Sequence, residues 1–270
     1  MSANTSFQIV NEQGWRRGFA NLLRHENSTW WHSRRWWINL LIWLALINGI
    51  LLAMLSSANG EAVADRTPEQ ILDEARTIFT VMAGLFGTIG AVIAVQGAII
   101  DEKKSGTAAW IMSKPASRPA FILAKLVANV IALLTIIIVV QGAVAYLQMS
   151  NFLGSALPLA PFVSGMALIA LNMLFYLTLT LMLGTLFNDR GPVIGIPIGI
   201  LFSGMFIMGY VGQAAYLMPW LIIPSGSDLG LATEALMGQP LSTTTPILAT
   251  LVWIVVFVAV GLWRFQREEF

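Results

Sequence analysis

Six separated apolar stretches dominate this chain of 270 residues, and each is long enough to cross a bilayer as a helix. They cover approximately residues 37–58, 77–100, 121–148, 160–187, 192–213 and 245–263. A spanning helix needs ~20 mostly apolar residues to cross a hydrocarbon core of ~30 Å. None of the six carries Asp, Glu or Arg in its interior, and Lys125 lies close enough to the start of the third to snorkel to the interface. The runs are continuous rather than alternating, which selects helices over the strands of a membrane barrel. Only 11% of the residues are charged, against ~25% in soluble domains, too few to cover a soluble surface. The expected fold is therefore all-α and integral to the membrane, with six transmembrane helices.

Composition also excludes much chemistry. There is no cysteine, so disulfides, thiolate metal sites, iron–sulfur clusters and cysteine nucleophiles are all ruled out. The two histidines, His25 and His32, both precede the first apolar run, which leaves no basis for a multi-histidine zinc or haem site. A net charge of +1 lacks the basic footprint of a nucleic-acid binder. The first 35 residues show no apolar h-region, so no cleavable signal peptide is expected. No GxSxG, HExxH, paired intramembrane carboxylate or phosphate-cradling GxxxxGK[ST] occurs. Gln96, Asn129, Gln141, Asn172 and Tyr176 are the main polar groups at depth. They suit bonding between helices or lining a path, not acid–base work near neutral pH. An acidic or basic group at mid-membrane, which an ion-driven carrier uses, is missing too. The chain reads as no enzyme by itself, and any uphill movement must draw its energy from another chain.

Basic residues set the orientation. Arg16, Arg17, Arg24, Arg34 and Arg35 precede the first run. Lys103, Lys104, Lys114, Arg118 and Lys125 surround the loop between runs two and three. Arg190 follows run four, and Arg264 and Arg267 follow run six. The opposite side has only Arg66 and Arg76, with the acids Glu61, Asp65, Glu69, Asp73, Glu74, Asp228 and Glu234. The basic side is expected to be cytoplasmic, with both termini inside. Trp15, Trp30, Trp31, Trp36, Trp37, Trp110 and Trp263 fall near the inner boundary, where indole rings anchor at headgroup level. The chain divides into a cytoplasmic segment (1–35), a six-span domain (36–264) and a short cytoplasmic tail (265–270).

Three segments do not span. Residues 14–26 place Trp15, Phe19, Leu22 and Leu23 at helical spacing among arginines, an interfacial amphipathic helix. Such a helix is either a plain anchor or a connecting helix that braces the first span and touches a partner. In residues 101–120, Gly106 breaks the extension of span two, Thr107 to Met112 are competent for a short helix, and Pro115 stops it. That lever has charges at its ends and an apolar contact in Trp110, Ile111 and Met112. Residues 214–244 contain a short apolar core interrupted by Pro219 and Pro224, which fits an external re-entrant or interfacial hairpin. The outer loop 59–76 has room for a short helix from Pro68. Small residues recur at helical spacing in span five (Gly191, Gly195, Gly199 and Ser203) and span two (Ala83, Gly87 and Ala91). Such rows allow close backbone approach, either within one subunit or at a subunit interface or moving cavity wall.

The run from Glu102 through Gly106, Thr107, Ser113, Lys114, Pro115, Ala116, Ser117 and Arg118 to Lys125 resembles the hallmark of type-2 ATP-binding-cassette (ABC) transporter permeases. It falls between spans two and three on the cytoplasmic side, as in that family, and chain length and span number match as well. The resemblance implies a type V exporter fold: a dimer of six-span subunits, homomeric or with a paralogue, working with two cytoplasmic ABC ATPase subunits that hold ATP and magnesium. No cofactor is then expected in this chain. It implies that 101–118 contains the coupling helix, with Glu102, Gly106, Thr107, Pro115 and Arg118 in that role by motif position. Spans two and five would wall a central path, with spans one and five near the dimer axis. The disulfide-free outer segment points to a bacterial or archaeal plasma membrane, with lipid as the remaining partner. The competing reading is a six-helix membrane assembly or scaffold protein without transport. The topology is checked by single cysteines in this cysteine-free chain: Ser105→Cys should label only from the cytoplasm and Ser227→Cys only from outside.

Overall fold

The computed structural model describes residues 14–57, 66–224 and 229–268, which form helices and turns throughout. Among the acidic and test positions named above, Glu61, Asp65, Asp228 and Ser227 lie outside the described residues. Six helices are long and apolar enough to cross a membrane: α2 (Arg35–Ser57), α3 (Pro68–Val95, continuing through a turn into the short α4, Ile100–Lys104), α6 (Arg118–Leu153), α7 (Leu159–Leu186), α8 (Arg190–Val211) and α10 (Thr245–Gln266). Three shorter helices complete the set: α1 (Phe19–Trp31), α5 (Thr107–Met112) and α9 (Leu231–Met237).

Local chemistry explains where the ends depart from the apolar runs. Thr67 and Gln70 form a reciprocal cap: Gln70 N donates to Thr67 Oγ1 (3.3 Å) and Thr67 N donates to Gln70 Oε1 (2.9 Å). With Pro68 in the first turn and no breaker before Val95, the helix foreseen as a separate piece in 59–76 is the first part of α3 itself. Its polar turns carry Asp73 and Arg76, paired at 2.7 Å. Ser117 caps α6 by accepting from Ala120 N at 3.2 Å, so the third span starts at Arg118. At the other end of the chain, Gly18 (φ 80°) divides the predicted amphipathic helix. Residues 14–16 form a 3₁₀ turn and α1 begins at Phe19, so Trp15 stands beside α1 rather than on it, 6.0 Å from the Phe19 ring. α1 runs against α6, the third span, more than against the first.

The bundle is built around α7. Of its apolar window 72% is buried, against 17% for α8 and 22% for α10. α3, α8, α9 and α10 all pack on it. Two spans contain one π-helical turn each, Leu44–Asn48 in α2 and Leu134–Val139 in α6. Each turn packs against the α-helical part of the other span, and the wide turns leave backbone carbonyls that side chains satisfy. Gln141 Nε2 donates to the Ile136 carbonyl (3.1 Å), Asn48 Nδ2 to Gln141 Oε1 (2.6 Å), and Gln148 Nε2 to the Asn48 carbonyl (3.3 Å). Hydrogen bonds between helices are a main source of cohesion in lipid, where apolar burial gives little drive.

Beyond α8 the chain makes 3₁₀ turns at Gly212–Leu217 and Pro219–Leu221, and α9 then packs on α7 and α3. Trp220 Nε1 donates to the Ile200 carbonyl (2.8 Å), Trp253 Nε1 to the Leu217 carbonyl (2.9 Å), and Ala232 N to the Ile222 carbonyl (2.9 Å).

Small residues in α3 make room for large neighbours. A Cβ on Gly90 would stand 2.4 Å from Trp43 Cζ2, and one on Gly87 would stand 2.8 Å from Ile137 Cγ2. Trp43 is itself buried, so it has nowhere to go. Gly90→Val should therefore destabilise the chain by about 1–3 kcal/mol through overpacking. A lowered thermal unfolding midpoint in detergent, with membrane insertion retained, is the expected measurement.

Candidate functional site

The connection from span two to span three carries the densest set of polar contacts on the side where the basic residues gather. After Val95 the helix opens into a turn at Gln96–Ile99 and resumes as α4. Gly97 leaves room at this elbow for the Asp101 carboxylate, which an added Cβ would crowd. Asp101 reaches across to the start of α8, where both its oxygens accept from Arg190 Nη2 at 2.6 and 2.7 Å. Lys104 adds a second bond to that corner, with Asp189 at 3.0 Å. Gly106 adopts φ 75°, a left-handed conformation that turns the chain sharply between α4 and α5.

α5 is one and a half turns long. Ala108 is its fully buried rear contact, and Ile111 and Met112 pack against the main core. Trp110 points the other way and is 63% exposed, with Lys114 Nζ 5.0 Å from its ring centroid. Pro115 is exposed in the following loop. That loop is strapped to the N-terminal segment: Ser117 N donates to the Arg17 carbonyl (3.0 Å) and Ser117 Oγ to the Trp15 carbonyl (2.8 Å). Gly18 sits against Ala116, where an added Cβ would lie 3.1 Å away.

Behind the loop lies the strongest electrostatic feature. Lys125, 2% exposed, sits one to two turns into α6 and pairs with two carboxylates, Glu26 of α1 at 2.6 Å and Glu102 of α4. Its ammonium lies 4.9 Å from the Phe121 ring centroid. One turn deeper, Asn129 Nδ2 donates to the Lys125 carbonyl (2.7 Å) and its Oδ1 accepts from Trp30 Nε1 of α1 (3.1 Å). The ion group borders a polar cleft of about 550 Å³ that also takes in His25, Arg35, Asn39, Gln96 and Arg190. The end of α10 closes the arrangement. Arg118 donates to the Gln266 carbonyl, and Glu268 pairs with Lys103 at 2.8 Å and Arg264 at 3.0 Å. Phe265 stacks on Phe121 at 5.1 Å.

Of the residues singled out from sequence, Glu102, Gly106, Thr107, Trp110, Pro115 and Arg118 thus lie along one continuous strip, α4 to the start of α6. They do not converge on a point: Glu102 faces inward to Lys125, Arg118 faces α10, and Trp110 faces outward. The small-residue rows are elsewhere and differ from each other. Ala83, Gly87 and Ala91 are buried within the chain, whereas Gly191, Gly195 and Gly199 line an exposed face of α8 where an added Cβ would meet nothing. Ser203 Oγ donates to the Ile200 carbonyl at 2.8 Å. Lys125 does not snorkel but is buried and paired, since two acids come to it. Glu26 and Glu268 were not anticipated. A lone acid in the arginine-rich stretch 14–35 is the one sequence cue to Glu26. Among the described residues no three His, Asp or Glu side chains converge as metal ligands.

A model of the ABC-2 family transporter proteins matches residues 20–270, a stretch that contains the whole strip, the ion group and all six spans. The chain belongs to the ABC-2 transporter family. It is also similar to the uncharacterized transmembrane protein YxlG of Bacillus subtilis (strain 168), at 26% identity over 188 residues, 68% of this chain and 70% of that one. This ABC-2 chain is accordingly a multi-pass membrane component of an ABC transporter, and components of this kind are generally not catalytic themselves.

The ion group makes a clear stability prediction for the ABC-2 bundle. Lys125→Met leaves Glu26 and Glu102 facing each other without a cation. Removing one partner of a buried pair costs about 3 kcal/mol, at the low end because the carboxylates keep some solvent contact. The triple change Lys125→Met, Glu26→Gln, Glu102→Gln should recover most of that loss in thermal unfolding in detergent.

Proposed function

We propose that this chain is the permease subunit of an ATP-driven exporter, forming the transmembrane path and taking its drive from a separate cytoplasmic ABC ATPase through the strip 101–118. The observation that carries the reading is α5: a short helix fixed at its rear by Ala108 and presenting an exposed Trp110 beside Lys114. A large aromatic ring held at the surface with a cation over it is the composition of an interface anchor. The Ser117 strap and the buried Ala108 make the strip stiff, so a push on Trp110 is delivered to the Gln96–Ile99 elbow and, through Lys125, to α1 and α6.

The orientation follows from the same assignment. The strip, both described chain ends and most basic residues share one side, which is the cytoplasmic side of a bacterial or archaeal plasma membrane in this reading. The segment around Gly212–Leu221 and α9 forms the external cover. α1 serves as a connecting helix, since it is bonded to both α4 and α6 through Glu26 and Lys125. The open glycine face of α8 supports a dimer in which spans one and five meet a second permease copy or paralogue, because small residues without neighbours invite close helix approach.

Trp110→Ala tests the assignment cleanly, because the ring is mostly exposed and its loss leaves the fold intact. With the cognate ATPase and permease reconstituted in vesicles, the half-saturating ATPase concentration should rise about tenfold or more. Unaltered coupled ATP hydrolysis in this variant overturns the role of α5.

A further inference from the structure

We infer that the half of the bundle away from the ion group holds a binding site for a neutral amphiphile, a mostly apolar molecule bearing one hydroxyl or carbonyl group. The site is a cavity of about 70 Å³ between α3, α7 and α8, covered by the 219–224 segment. Its position is set by two glycines. Gly84 admits Ile223, which stands 2.5 Å from where a Cβ would be, and Gly204 admits the Trp220 ring at 2.6 Å. The Trp220 indole is locked by its hydrogen bond to the Ile200 carbonyl, so the cover is built in rather than draped over.

Two polar side chains one helical turn apart on α7 reach this apolar space. Tyr176 is 1% exposed, and its hydroxyl makes no hydrogen bond with any described residue, an unusual state for a buried tyrosine. Asn172, 2% exposed, spends one amide N–H on Thr88 Oγ1 (2.9 Å) and retains its carbonyl oxygen. Both residues line the cavity, which thereby gains a hydroxyl donor and an amide acceptor among otherwise apolar walls. An unmet polar group in lipid surroundings is costly, and a matching ligand group relieves that cost. No charged residue lines the cavity, so an ionised ligand would go uncompensated. A cavity this size takes the polar end of such a molecule and a few carbons, with the remainder leaving past Met205, which is 58% exposed on the bundle's outer surface. This inference stands on the chain's own geometry and does not depend on a motor subunit.

The test uses the full chain in detergent and 3-azioctanol, a photoactivatable octanol, with adducts mapped by mass spectrometry. Adducts should concentrate on Tyr176, Met205 or Trp220 and be displaced by excess 1-octanol but not by octanoate. Tyr176→Phe keeps the shape and deletes the hydroxyl, and should weaken octanol displacement about three- to tenfold. Met205→Trp, a change at an exposed rim position, should block the mouth and abolish the adducts. Adducts spread evenly over outward-facing residues such as Val252 and Val255, equal displacement by octanoate, or unchanged behaviour of Tyr176→Phe would each overturn the site. No ATPase is present, so none of these results bears on the assignment of α5.

Discussion

A cation taken out of water must be matched where it stands, and Lys125 is the place where this chain meets that demand. Its ammonium is nearly sealed from solvent at the start of span three. Two acids answer it from opposite directions, Glu26 from the connecting helix and Glu102 from the end of span two. Neither helix could drift without uncovering a charge in a region of low dielectric, where the cost runs to several kcal/mol. That pairing ties α1, α4 and α6 together beside the bend at Gln96–Ile99. The deeper bond of Trp30 to Asn129 repeats the same logic with neutral groups.

Farther into the bilayer, hydrogen bonding takes over from charge. The two π-helical turns in α2 and α6 expose carbonyls, and Asn48, Gln141 and Gln148 close them into a polar seam between the spans. On the other side of α3, Asn172 joins α7 to Thr88. Glycines bring the backbones near enough for these contacts, with Gly90 receiving Trp43 and Gly87 receiving Ile137. Spans one to four are thereby bonded along their length, whereas α8 and α10 keep wide faces clear of the rest of the chain.

Much of this was legible from the residues. Five of the six apolar runs match their spans to within a few positions, and the break at Gly106 with the helix Thr107–Met112 follows directly from glycine geometry and local propensity. Motif spacing put Glu102 and Lys125 in one pattern, and the fold joins them by an ion pair. What periodicity could not reveal is partnership across the chain. Glu26 and Lys125 are 99 residues apart, and Arg118 reaches Gln266 over 148. Asn48 gave no cue, because a single amide in an apolar run carries no period, and a π-turn has no reliable signature. The early start of α3 was missed for a different reason: its first turns are polar, so hydropathy ends where the Thr67 cap does not. The two small-residue rows looked alike in sequence and separate only in three dimensions, one filled by neighbours and one bare.

The corner between α4 and α8 has a consequence of another sort. Asp101–Arg190 and Lys104–Asp189 are half or more open to water, unlike the sealed Lys125 group. Exposed ion pairs weaken as ionic strength rises, while buried ones feel little of this. The molecule thus has two linkages leaving the same elbow, one indifferent to its ionic surroundings and one graded by them. A rise in cell salinity would loosen the grip on span five while leaving spans one to three as firmly joined as before.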